Sequence, residues 1–259
     1  MTGTNSRPTI VAVFGRSGGI SDELRELATC AGSKIAAAKF VVLTGDKLKE
    51  QEEEPDAVKD AAMQGAAPDG HWIGVLKRAG SSVFQKEGDK GGVIFSNMGD
   101  RRNFLEASLC DAAIVLEGEE GTISEAVSAI SLGKPVLLVG TVWATRCPAL
   151  HQLFDVRVLT GNPKDILVEE ARKRLGEKTD KGPMRDLIKQ ALEPGSIPLH
   201  ESSRLVSADG MQACPAIASW LTEIRGLQQK GAFPPLGEQY KQGRHKYQQW
   251  LESLLPPEP

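Results

Sequence analysis

Met98–Gly140 reads MGDRRNFLEASLCDAAIVLEGEEGTISEAVSAISLGKPVLLVG. Its spacing predicts a helix over Arg102–Cys110, then a strand, Ala112–Leu116, that is apolar at every position. A turn with glycines at 118 and 121 follows, then a helix over Thr122–Leu132. Gly133-Lys134 leads into a second apolar strand, Pro135–Val139. A strand apolar on both faces suits a sheet covered on both sides. Strands that alternate with helices in this way suit a parallel sheet, because each crossover returns through a helix.

The same alternation extends in both directions. Upstream, Thr9–Phe14 (TIVAVF) is a strand, followed by Gly15-Arg16-Ser17-Gly18-Gly19. Ser21-Asp22 opens a helix that Gly32 is expected to close. Phe40–Thr44 is a second strand, Asp56–Gly65 a helix, His71–Leu76 a third strand and Val93–Ser96 a fourth. Residues 46–55, DKLKEQEEEP, read as a solvated loop, and Val83–Phe95 as a hairpin turning at Gly88–Gly92. Downstream, Val156–Thr160 is the last clear strand, and a helix over Pro163–Leu175 lies between an Asn162 cap and Gly176. After that the composition changes to a polar linker, 177–183, and helical stretches at 184–192, 213–229 and 247–255. The expectation is an α/β domain over residues 1–176, a doubly wound and mostly parallel sheet. A helical extension over 177–259 follows it.

Composition narrows the function classes. Lys+Arg number 31 and Asp+Glu 34 in 259 residues, a net charge of -3. A nucleic-acid binder would usually carry a basic excess, and 5% aromatics leave little surface for stacking bases. No stretch of about 18 apolar residues is present to span a membrane. The N-terminus has no apolar signal core, so a cytoplasmic location is expected. Cys30, Cys110, Cys147 and Cys214 form no C-x-x-C pair and are expected as buried free thiols. With the four histidines they give none of the usual zinc spacings, so neither a metal nor a bound cofactor is expected.

In an open parallel sheet ligands bind beyond the carboxyl ends of the strands. Gly15-Arg16-Ser17, Thr44-Gly45 and Gly118–Thr122 all follow strands and would share that rim. Glycines let backbone N–H groups approach a ligand, and a helix N-terminus favours an anion. Within Met98–Gly140 an arginine stands nine residues before Asp111, and Gly-Thr is followed by Glu125. This segment resembles the LOG family within the SLOG superfamily. These are Rossmann-type nucleotide-binding proteins whose loop reads P-G-G-x-G-T-x-x-E.

The resemblance implies a metal-independent hydrolase that splits a nucleoside 5′-monophosphate into base and ribose 5-phosphate. Gly118, Gly121 and Thr122 would hold the phosphate. Glu125 would stabilise an oxocarbenium-like transition state, and Arg102 would approach the scissile bond, with Arg101 as the alternative. The resemblance also implies a homodimer through the helix after the arginine pair, where Phe104, Leu105 and Leu109 recur at helical spacing. Thr122-Ile-Ser-Glu125 also reads as a capping box, a purely structural use of the same glutamate.

Three carboxylates depart from the family loop. Glu117 stands at its proline, Glu119 at its second glycine, and Glu120 follows. At about 5 Å and an effective dielectric near 20, each would oppose an anion by roughly 3 kcal/mol before screening. Arg16, Lys47 or Arg101 could offset this. The rival reading is a non-catalytic carrier or sensor of a phosphorylated ligand, of the molybdenum-cofactor carrier type.

Overall fold

The computed structural model describes residues 7–45, 56–76, 90–96, 102–154 and 199–233. Seven parallel strands form one sheet: β1 (Ile10–Phe14), β2 (Val41–Thr44), β3 (His71–Leu76), β4 (Gly91–Phe95), β5 (Ala112–Val115), β6 (Val136–Val139) and β7 (Arg204–Val206). Their spatial order is β4-β3-β2-β1-β5-β6-β7. The chain winds outward from β1 to β4, then crosses back to lay β5 on the other side of β1. Register follows from this, with Val11 opposite both Val42 and Ala112. The α/β doubly wound reading therefore holds.

Seven α-helices occur among the described residues: α1 (Asp22–Ala37), α2 (Val58–Ala66), α3 (Arg102–Leu109), α4 (Glu120–Ser131), α5 (Trp143–Arg146), α6 (Pro148–Phe154) and α7 (Cys214–Gln229). Alternate strand residues feed two cores. Val11, Val13, Val42, Ile114 and Val139 pack with α1, α2 and α7. Ala12, Phe14, Leu43, Val115 and Leu138 pack with α3, α4, α5 and α6. Each central strand is thus buried on both faces, as its unbroken apolar sequence requires.

Several expectations change. Gly32 does not end α1, which continues to Ala37. A Cβ on Gly32 would lie 1.9 Å from the Ala62 carbonyl oxygen, and one on Gly65 2.1 Å from that of Thr29. These glycines let two backbones touch where α1 crosses α2, so Gly32 serves packing rather than termination. The arm of the expected hairpin at 91–95 pairs in parallel with β3, Trp72 opposite Gly91; the rest of that hairpin lies outside the described residues. Gly91 lies under the indole of Trp72, where a side chain would collide. The segment after residue 176 is not purely helical: β7 extends the sheet beside β6, and α7 places Ile217, Trp220, Leu221 and Ile224 in the core.

Cys30 of α1 and Cys214 of α7 are joined in a disulfide, their Cα atoms 6.3 Å apart. The expectation of four free thiols therefore holds only for Cys110 and Cys147. The two helices face each other across one core, an arrangement that spacing along the chain cannot show. The strand expected at 156–160 and the helices expected at 163–175, 184–192 and 247–255 lie outside the described residues. Among the described residues no helix is long and apolar enough to cross a membrane.

Candidate functional site

The sheet reverses its winding between β1 and β5, and neighbouring loops part at the carboxyl ends there. A cleft of about 260 Å³ occupies this position. Val13, Phe14, Gly15, Arg16 and Ser17 line it from the end of β1, and Gly45 from the end of β2. Lys59 enters from α2, Arg102 and Asn103 from α3, and Glu119, Glu120, Gly121, Thr122 and Glu125 from α4. Eight residues expected at the site meet here: Gly15, Arg16, Ser17, Gly45, Arg102, Gly121, Thr122 and Glu125. Gly118 is buried and does not line the cleft, and Arg101 lies outside the described residues.

The helix over the cleft starts two residues earlier than its sequence suggested. Glu119 is the N-cap of α4 and its side chain makes no capping bond. Thr122 therefore sits inside the first turn, and Thr122–Glu125 is not a capping box. Ile123 N–H already bonds the Glu119 carbonyl at 3.0 Å. The amides of Glu120, Gly121 and Thr122 are the ones an α-helix leaves at its N-terminus. They carry the positive end of the helix dipole. Glu125, nearly buried, stands one turn further along the cleft wall. Asn103 Nδ2 donates to the Gly121 carbonyl at 3.3 Å and ties α3 to this turn.

Arg102 is buried at the floor. Its Nη1 donates to the carbonyls of Gly45 and of Val75, the latter at 3.2 Å. Its Nε lies 3.2 Å from Oε1 of Glu106, one turn along α3 and fully buried. The guanidinium thereby holds the ends of β2 and β3 against α3. A Cβ on Gly45 would fall 2.8 Å from the Glu106 carboxylate, so a side chain there would have to displace this pair. A buried ion pair with both charges engaged is expensive to break, because removing one partner strands the other.

The acidic turn is not left unanswered. Glu117 Oε1 lies 3.5 Å from Nη1 of Arg16 and 3.3 Å from Nη2 of Arg146. Nη2 of Arg16 also stands 3.9 Å from Oε1 of Glu119. Arg16, expected as a counter-charge, is placed as one. Arg146, on α5, was not anticipated, since nothing in local spacing links it to residue 117. Lys59 was also missed, although a lysine in the first turn of a helix opposes the dipole and so hints at a reason to be there.

Elsewhere, Asp111 supports the start of β1. Arg7 grips both its oxygens at 2.6 Å, and Ile10 N–H donates to it at 2.9 Å. Phe104 and Leu109, expected at a subunit interface, are buried within the chain, with Leu105 partly so. Among the described residues no group of three or more His, Cys, Asp or Glu is arranged to hold a metal.

With this geometry in place, the sequence profile of the SLOG cluster4 family matches residues 8–165. The chain belongs to that family. The matched span includes every described residue of the cleft. No curated protein matches the chain. Among solved structures it is similar to the molybdenum cofactor binding protein from Rippkaea orientalis, at 22% identity and a TM-score of 0.48. That match covers 66% of this chain and 99% of the other. It is also similar to the molybdenum cofactor carrier protein of Chlamydomonas reinhardtii, at 25% identity and a TM-score of 0.41, over 51% of this chain and 77% of that one. A second structure of that carrier shares 20% identity and a TM-score of 0.47, over 84% and 99%.

Proposed function

We propose that this SLOG protein binds a phosphorylated, nucleotide-like small molecule in the cleft and acts as its carrier or sensor. The observation that carries the reading is the state of the arginines. Arg102 is committed to two main-chain carbonyls and to Glu106, and Arg16 to Glu117 and Glu119. Groups so engaged shape and charge a pocket, while the amides at the start of α4 supply the phosphate contact. The ligand class is nucleotide-like: nucleoside monophosphates first, with the molybdenum cofactor named for the similar structures as the second candidate.

One observation favours hydrolysis as a second reading. Glu125 is not the partner of a Thr122 cap and lines the cleft, where a carboxylate could stabilise positive charge developing on a ribose. In that reading Glu125 and Arg102 are the catalytic residues, and the chain is an N-glycosidase. Titrating the protein with a panel of nucleoside 5′-monophosphates, while chromatography follows free base, tests both. Saturable binding without base release supports a carrier or sensor. Base release that is lost in Glu125→Gln overturns it in favour of the hydrolase, and no binding across the panel overturns both nucleotide readings.

A further inference from the structure

We infer that Arg146, on α5 and outside the cleft, is a positioning residue that sets the orientation of the anion-binding turn. The inference rests on the proposed phosphate site. Its Nη1 donates to the Gly118 carbonyl at 3.1 Å, and its Nη2 lies 3.3 Å from Oε1 of Glu117. One planar guanidinium therefore grips a main-chain oxygen and a carboxylate of adjacent residues, a fork that lysine cannot reproduce.

The peptide plane explains the consequence. In a trans peptide the carbonyl and the following N–H point in opposite directions. Holding the Gly118 oxygen toward Arg146 turns the Glu119 N–H away from Arg146. Glu119 lines the cleft and Arg146 does not. The turn has little slack to adopt this orientation unaided or to relax by a side-chain shift. A Cβ on Gly118 would lie 2.1 Å from Oγ1 of Thr122, so the loop is already pressed against the first turn of α4.

Glu117 completes the device. Its carboxylate lies between Arg146 and Arg16, and its carbonyl accepts the Arg16 N–H at 2.8 Å. The glutamate at the family's proline position thus couples α5 to the loop after β1. It links three rim segments: α5, the loop after β1 and the loop after β5.

The test compares Arg146→Met, Arg146→Lys and the double variant Glu117→Gln/Arg146→Met with the parent. Two readouts are needed: hydrogen–deuterium exchange of amides 117–123 without ligand, and calorimetric titration with AMP. A circular-dichroism melt confirms that each variant is folded. Positioning predicts faster exchange of the turn in Arg146→Met and AMP affinity lower by about ten- to a hundredfold, the range for a hydrogen bond to a charged group. Arg146→Lys restores charge but not the fork, so it should recover only part of either effect. The double variant restores the charge balance and should still exchange fast. Parent-like exchange in Arg146→Met overturns the proposal, and so does full recovery in the lysine or double variant, since charge alone would then suffice. If the parent binds no AMP while exchange in Arg146→Met is fast, the nucleotide reading fails and the role of Arg146 in holding the turn stands.

Discussion

Glu119 is the carboxylate whose removal best separates charge from shape in the cleft. Its Oε1 stands 3.9 Å from Nη2 of Arg16, with the glutamate side chain 71% exposed and the arginine 35%. In a water-like dielectric that separation is worth about 1 kcal/mol, and exposed pairs contribute at most that much once salt and side-chain entropy act. Glu119 is the N-cap of α4 but makes no capping bond, so Glu119→Gln leaves the helix start intact. The substitution leaves Arg16 paired with Glu117 alone and removes a charge that competes with an anion for the dipole. AMP affinity should rise by about two- to fivefold at low salt, consistent with roughly 0.5–1 kcal/mol. At about 0.5 M salt the gain should vanish, since screening then acts within a few ångströms. Calorimetric titration of both proteins at the two salt concentrations measures this. Unchanged or weaker AMP binding at low salt would refute the view that Glu119 and the anion compete for the same cation and amides.

Further outcomes concern the scaffold. Gly32→Ala would press a methyl group onto the Ala62 carbonyl and force α1 off α2; a loss of about 3 kcal/mol is expected from such overpacking, and a parent-like melting curve would contradict the close crossing. Reducing Cys30–Cys214, or replacing both with serine, should lower stability by about 3 kcal/mol; a melt unaffected by reductant argues against the bond. Burial pushes the Cys110 thiol from 9.0 up to about 12. Iodoacetamide at pH 8 should therefore label Cys147 in the native protein and spare Cys110 until it is denatured. The raised pKa also means that the stability Cys110 contributes is fully present below about pH 9. It is lost as pH rises through about 12, because the unfolded thiol ionises first.

What could be read from the sequence was what is encoded locally. Apolar runs such as Val11–Phe14 and Ala112–Val115 fall on strands because burial on both faces leaves no polar position to break them. The glycines after β1, β2 and β5 marked the rim because close approach is a property of the residue itself. The misreadings arise where a local signal has a tertiary use. Gly32 resembled a helix stop and is a helix contact. Thr122-Ile-Ser-Glu125 resembled a capping box, yet α4 begins at Glu120, so the threonine falls one turn too late to cap. Pairings across long separations left no local trace. Cys30 and Cys214 are 184 residues apart. Arg146 and Glu117 meet only because the fold brings α5 to the turn after β5.

The ion pairs around the cleft also limit the charge that a ligand can carry. Arg16 and Arg146 stand with Glu117 and Glu119, and Arg102 stands with Glu106. Lys59 shares the remaining wall with Glu120 and Glu125. The carboxylates therefore outnumber the cations by one, and the first turn of α4 supplies the remaining positive potential. That potential is local, falling off within one turn. It suits one compact phosphate, whereas each further phosphate would have to lie along a wall that already carries Glu119 and Glu120. Space gives the same answer, since about 260 Å³ is below the usual range for drug-sized ligands. Affinity should therefore fall from AMP to ADP to ATP, by about tenfold or more overall, with the spread narrowing as salt screens the carboxylates. Calorimetry of the three nucleotides without divalent metal decides it. ATP binding as tightly as AMP would show that the carboxylates at residues 119 and 120 do not face the ligand.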